Sequence, residues 1–232
     1  AAAGSDLVLL SVPVAATGSV LAELRGALGP RALCMDVGST KRDVVQAAHD
    51  TLGDAVTRFV GAHPIAGKEH AGIAHADSEL YRDRQVVLTP DATSDKARVA
   101  RARACWEAVG ARVIEMDPQA HDRAFAAVSH LPHLLAFASF EAVAAQAGGE
   151  TLLALAGPGF RDFTRIAAGE PAMWRDILLA NRDEVRAQAA HFRAALDGLE
   201  ALLDAADSTA LHDRLAAISA RRARWRMRGR FD

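Results

Sequence analysis

The chain has 232 residues, half of them hydrophobic, which is enough apolar material for one large core or two modest ones. Its formal net charge of -2 offers no basic field for nucleic acid, and its apolar runs are too short and interrupted to span a bilayer, so neither partner is expected. Two cysteines, Cys34 and Cys105, one in a strand-like run and one in a helical pattern, argue against a disulfide framework or a zinc site and fit a reducing compartment. The opening residues 1–6 lack the charged leader and long apolar region of a signal peptide, so a cytoplasmic protein is the expectation.

Residues 6–13 form an almost uninterrupted apolar run closed by Pro13, the pattern of a strand buried on both faces of a parallel sheet. Apolar residues at helical spacing over 19–28 predict a helix that stops where Gly29 and Pro30 coincide. Residues 32–37 are again strand-like, and after Gly38-Ser39-Thr40 the stretch 41–52 predicts a helix. A third strand is predicted over 57–61, a fourth over 85–90, a helix over 94–109 and a fifth strand over 111–116. Strands alternating with helices predict an α/β fold with a mostly parallel, doubly wound sheet, whose ligands bind beyond the carboxyl ends of the strands. After Asp117-Pro118 the pattern is wholly helical, with long apolar faces over 120–146 and 173–203 and a last helix from about Thr209 into the basic run 221–228. The domain boundary therefore falls at Asp117, with a sheet domain over 1–117 and an all-α domain over 118–232. The basic run, with Trp225 as its one aromatic, reads as a solvated helix end.

Four stretches carry side chains suited to chemistry. In Gly61-Ala62-His63-Pro64-Ile65-Ala66-Gly67, the apolar residues before it deliver His63 to a strand end held by a proline and two glycines. Imidazole titrates near neutral pH, so a histidine at such an edge suits accepting a hydroxyl proton; the alternative is a turn histidine bonded to the nearest carbonyl. Ser39 and Thr40, in Asp36-Val37-Gly38-Ser39-Thr40-Lys41, fall where a hydroxyl caps the following helix, and Ser39 is equally placed to bond a ligand hydroxyl or a nearby histidine.

Ser129-His130-Leu131-Pro132-His133 sets two histidines on one helical face beside a proline, which costs about 3 kcal/mol or more in a helix interior and so marks a place where local geometry matters. The pair reads either as hydrogen-bonded core histidines or as ligand-facing groups. A metal would need His63, His70 or a carboxylate as a further ligand at no zinc-type spacing, so none is expected. Over 157–167, Arg161, Asp162, Thr164 and Arg165 adjoin Phe160 and Phe163. Arginine's planar fork suits a carboxylate, while Asp162 with Arg161 or Arg165 would also make a plain ion pair.

Taken in order, Gly38-Ser39-Thr40-Lys41, His63-Pro64-Ile65-Ala66-Gly67, Ser129-His130-Leu131-Pro132-His133 and Gly159-Phe160-Arg161-Asp162-Phe163-Thr164-Arg165-Ile166-Ala167 resemble the prephenate/arogenate dehydrogenase family of tyrosine biosynthesis. The likeness runs from about Asp6 to about Asn181 and includes Met173-Trp174-Arg175-Asp176-Ile177. It implies a Rossmann-type domain for NAD or NADP, joined to a helical domain that forms much of a homodimer, with the active site in the cleft between them. The implied reaction is oxidative decarboxylation of prephenate or arogenate. The resemblance makes His63 the group that takes the ring-hydroxyl proton, with Ser39 bonding that hydroxyl. Ser129, His130 and His133 would line the substrate pocket, Arg165 would hold a carboxylate, and Asp162 would position the arginine or close the pocket. Ser11, Pro13 and Ser39 would face the cofactor.

One departure from the family pattern is plain. The strand and Gly-x-Gly-x-x-Gly turn that open a dinucleotide-binding unit, and the residue that reads its ribose, do not occur in the sequence, so the expected sheet domain is N-terminally incomplete. Two other readings compete. A hydroxyacid-type dehydrogenase relies on a lysine in its second domain, whereas none follows Lys96 here. A noncatalytic dimerisation or regulatory module has only the missing turn in its favour.

Overall fold

The structure, a computed structural model, describes residues 2–67 and 73–226; His70, Met227 and Arg228 lie outside them. The sheet half runs β1 (Leu7–Leu10), α1 (Val14–Leu24), β2 (Leu33–Asp36), α2 (Arg42–Leu52), β3 (Phe59–Pro64), β4 (Gln85–Thr89), α3 (Lys96–Ala108) and β5 (Arg112–Glu115). These strands form one sheet in sequential order, parallel throughout except between β3 and β4, where His63 faces Val87 across an antiparallel pair. Helices cover both faces of β2, β3 and β4, which is why these read as continuous apolar runs, whereas β1, expected to be buried on both faces, lies at the sheet edge with Leu7 and Leu9 41% and 45% exposed. Cys34 packs with Leu21, Val44 and Leu52 on one side, while its neighbours Leu33 and Met35 pack with Val60, Leu88 and Trp106 on the other. Burial pushes the Cys34 thiol up to about 12, leaving it an inert core side chain.

Two elements begin elsewhere than expected. The first helix starts at Val14 rather than at residue 19, because Pro13 occupies its N-cap position with extended backbone, and it ends before the Gly26 turn. The third strand spans 59–64 rather than 57–61: residues up to Arg58 form a 3-10 turn, and pairing with β4 carries the strand on through Pro64. His63 therefore lies within a strand, not in a turn after one.

From Pro118 the described chain is helical: α4 (Pro118–Phe125), α5 (Leu131–Ala144), α6 (Gly149–Ala154), α7 (Pro158–Thr164), α8 (Pro171–Ala180), α9 (Arg182–Asp204) and α10 (Ser208–Arg224). The apolar run 120–146 is two helices, α4 and α5, joined by a π turn at Ala126–His130. Pro132 has no N–H to give, so the wider turn ahead of it absorbs the missing helical bond, and Pro132 sits where a helix start tolerates it. The run 173–203 likewise divides, between α8 and α9, at the fully buried Asn181. Contacts group Ala1–Val185 as one compact unit and Arg186–Asp232, with most of α9 and all of α10, as another. Among the described residues no helix is long and apolar enough to cross a membrane.

Candidate active site

The site is built at the carboxyl end of β2. Asp36 closes that strand, and its carboxylate accepts from Gly38 N at 2.8 Å, from Ala62 N of β3 at 3.0 Å and from the Lys41 ammonium. The turn carrying Ser39 is thereby clasped to the strand carrying His63. Lys41 is 0% exposed, and burial lowers its pKa against the opposing pull of Asp36. Gly61 leaves room for this: a Cβ there would come within 2.5 Å of Thr89 Oγ1 and 3.5 Å of Lys41 Cδ.

Neither hydroxyl of the Ser39-Thr40 pair caps α2. Its N-cap is Lys41, with no side-chain bond, and the first helical N–H groups are satisfied from α4, where Asp122 Oδ1 accepts from Lys41 N at 2.8 Å and Oδ2 from Arg42 N at 3.0 Å. A carboxylate at a helix N-terminus also meets the positive end of the dipole. Ser39 is half-buried, and its backbone lies against His130, favouring the protonated form of that ring.

His63, only 8% exposed, places Nδ1 at 2.8 Å from His121 Nε2, and His121 Nδ1 lies 2.7 Å from Asp122 Oδ1. Phe125 packs on both imidazoles, at ring-centroid distances of 4.7 and 4.4 Å. Burial, with His121, Lys41 and His130 adding to it, pushes the His63 pKa well below its ordinary value, so the ring is neutral at neutral pH. With Nδ1 committed to His121, Nε2 is the nitrogen left to meet a ligand. These contacts leave His63 a buried, neutral imidazole whose orientation is fixed by its neighbours.

The π turn brings in a second group. His130 is buried, with Nδ1 at 3.1 Å from Asn181 Nδ2, which also donates to the Asp122 carbonyl at 2.7 Å. Accepting at Nδ1 puts the His130 hydrogen on Nε2, which is left with the nearby Ser39 backbone and no hydrogen bond of normal geometry among the described residues, and burial pushes the pKa down to about 4. One turn on, His133 Nδ1 donates to the Ser129 carbonyl at 2.9 Å, and the ring stacks on Trp174 at 3.6 Å. Gly169 permits this seat for the indole, since a Cβ there would lie 2.5 Å from Trp174 Nε1. Arg165, in the 3-10 turn after α7, is near enough to oppose protonation of His133. Asp162 stands apart: it pairs with Arg161 at 3.0 Å, both groups exposed.

Ser11 and Pro13 lie between β1 and α1. Leu10 pairs with Asp36, and a Cβ on Gly38 would sit 3.3 Å from Val14, so the 11–13 and 38–39 turns adjoin at the strand ends. In a parallel sheet this is where a nucleotide lies, and the small, uncharged Ser11, Pro13 and Ser39 suit a nicotinamide ring better than its diphosphate.

His121, Asp122 and Asn181 belong to none of the motifs that stand out in the sequence, and Trp174 enters only through the stretch Met173-Trp174-Arg175-Asp176-Ile177 that the family resemblance includes. The one available signal was an adjacent histidine and aspartate just past the change from strands to helices.

Residues 1–115 match the family model "Prephenate dehydrogenase, nucleotide-binding domain", and residues 117–217 match "Prephenate dehydrogenase, dimerization domain". The chain is 36% identical to the cyclohexadienyl dehydrogenase of Zymomonas mobilis over 88% of its own length and 69% of that protein's, and 39% identical to the prephenate dehydrogenase of Bacillus subtilis over 77% and 48%. It thus spans about half the length of the second relative. Among solved structures, prephenate dehydrogenase from Aquifex aeolicus, in complex with hydroxyphenyl propionate and NAD+, superposes with a TM-score of 0.88 at 37% identity, covering 94% of this chain and 76% of that one. Synechocystis arogenate dehydrogenase gives 0.82 at 29% identity, covering 95% and 79%. Two family models that together take in nearly the whole chain, with a relative 36% identical over most of both lengths, establish that this chain belongs to the prephenate dehydrogenase family.

Proposed function

We propose that the full-length protein oxidises prephenate or arogenate and releases the ring carboxylate as carbon dioxide, giving 4-hydroxyphenylpyruvate or tyrosine. The observation that carries the reading is the neutral, buried His63, held by His121 and set beside the Ser39 turn at the strand ends. The bound complex of the Aquifex aeolicus relative, with a phenolic ligand and NAD+, supports the same chemistry.

In this mechanism Ser39 bonds the ring hydroxyl and His63 Nε2 takes its proton, while the hydrogen on the same carbon departs as hydride. A nicotinamide cofactor beside Ser11, Pro13 and Ser39, NAD or NADP, supplies the acceptor for that hydride when bound. The new carbonyl is conjugated to the carbon bearing the carboxylate, so breaking that C–C bond sends its electron pair through the ring to the oxygen. The ring becomes aromatic, and His63 returns the proton to the phenol oxygen. Arg165 binds a substrate carboxylate, and Ser129, His130 and His133 line the pocket. Asp162 is paired with Arg161 and takes no part in this scheme. The working form is a cytoplasmic homodimer, with the nucleotide-binding and helical domains meeting near Asp117.

General-base assistance is worth about 10² to 10⁴-fold, so His63→Asn, which bonds but cannot take a proton, lowers kcat by that order with KM little changed. Because burial lowers the His63 pKa, the acid limb of wild-type kcat lies well below pH 6.5, and it vanishes in the variant. Survival of that limb in His63→Asn would assign the base elsewhere.

A further inference from the structure

We propose that His121 and Asp122 act as a positioning pair that holds His63 in the one neutral tautomer able to serve as a base, with its hydrogen on Nδ1 and its lone pair on Nε2. This rests on His63 being the base of the proposed reaction.

The hydrogens follow from the bonds. Asp122 receives two backbone N–H groups, and these together with His121 keep it ionised, below the usual carboxylate range, although burial opposes this. An ionised carboxylate only accepts, so His121 Nδ1 carries a hydrogen. A neutral His121 then has its lone pair on Nε2, and the contact of 2.8 Å to His63 is a bond donated by His63 Nδ1–H. The lone pair of His63 is left on Nε2.

The competing arrangement has a cationic His121 donating from both nitrogens, which would leave His63 with its hydrogen on Nε2 and useless as a base. The charged and titratable groups facing the two rings are Asp122, Asp36, Lys41 and His130. Asp122 and Asp36 favour the cation and Lys41 opposes it, while burial outweighs them all and keeps His121 neutral. When His63 takes the proton, the positive charge arises one ring away from Asp122, which stabilises it without moving. His121 is 0% exposed and reaches a ligand only through His63.

Asp122 does a second thing with the same carboxylate. By capping α2 it fixes the helix that follows the Ser39 turn, so the hydroxyl and the base are referred to one anionic group on α4. The arrangement is a third-group orientation of a base, as a buried aspartate orients the histidine of a serine protease triad.

The test uses full-length protein labelled with 15N-histidine, alone and as His121→Phe and His121→Gln. In the wild type at pH 7.5, the His63 resonances should report a protonated Nδ1 and a bare Nε2. His121→Phe keeps the ring volume but removes the acceptor; it should shift His63 towards Nε2–H and lower kcat by about 10²-fold while KM changes by less than about threefold. His121→Gln presents a carbonyl to His63 Nδ1–H and should restore both the tautomer and most of kcat, a recovery that a space-filling role would not give. A wild-type His63 protonated at Nε2 overturns the proposal even if neither variant folds. So does a His121→Phe variant with unchanged tautomer and kcat, or a His121→Gln variant no better than it. If the tautomer depends on His121 as stated but neither prephenate nor arogenate is turned over, the functional reading falls and the positioning stands. If wild type and His121→Phe turn over equally well, the reverse holds.

Discussion

In the proposed reaction, Arg165 is the side chain whose role separates binding from chemistry. A carboxylate contact is present in the ground state and the transition state alike, so it acts as uniform binding. Losing a charged hydrogen-bond partner costs about 1.5 to 3 kcal/mol, and Arg165→Ala should therefore raise KM by roughly one to two decades with a smaller change in kcat. A large fall in kcat at unchanged KM would contradict that role. The buried histidines make a second prediction at this scale. Burial lowers the pKa of His63, His121, His130 and His133, with His130 reaching about 4. Below the unfolded value near 6.5 the unfolded chain takes up protons first, so stability is full above about pH 6.5 and is lost as pH falls towards the folded values. The loss is at most about 1.4 kcal/mol per pH unit for each group. Urea midpoints should drop between pH 7 and pH 5, and a flat midpoint over that range would count against the neutral, buried state of these rings.

Among the elements, β2, β3 and α2 are held together by one buried ion pair. Lys41→Met would strip the cation from Asp36 and leave a buried charge with only two backbone partners, which costs about 3 to 5 kcal/mol in urea unfolding. Adding Asp36→Asn to that variant should recover most of the loss, and failure to recover it would mean the charge was not the cause. The central strands were legible because strands covered on both faces are continuous apolar runs, and the change to helices at Asp117 was legible as their disappearance. The breaks at the π turn and at Asn181 were not, because the apolar spacing passes through both without interruption while the causes lie in a missing N–H and in a side chain bonded to another helix. As candidates, His63, Ser39, His133 and Arg165 stand out in their local motifs. His121 and Asp122 could not, since what they do depends on partners 58 and 81 residues away in sequence. Thr40 resembled a cap and is not one, because Asp122 reaches α2 first.

On the scale of the whole molecule, both compact units leave large apolar side chains exposed: Val128, Leu155 and Leu179 in the first, Phe192, Leu203 and Ile218 in the second. With residues 117–217 matching a dimerization-domain model, sedimentation at micromolar concentration should give twice the chain mass, and a stable monomer there would contradict the homodimer. The measurement that bears most directly on the account is turnover by the full-length protein, followed as reduced-nicotinamide absorbance with prephenate and arogenate each offered with NAD+ and NADP+. At least one combination should reduce the cofactor and release carbon dioxide in equal amounts, with an aromatic product. Reduction of neither cofactor with either substrate would contradict the account at its centre.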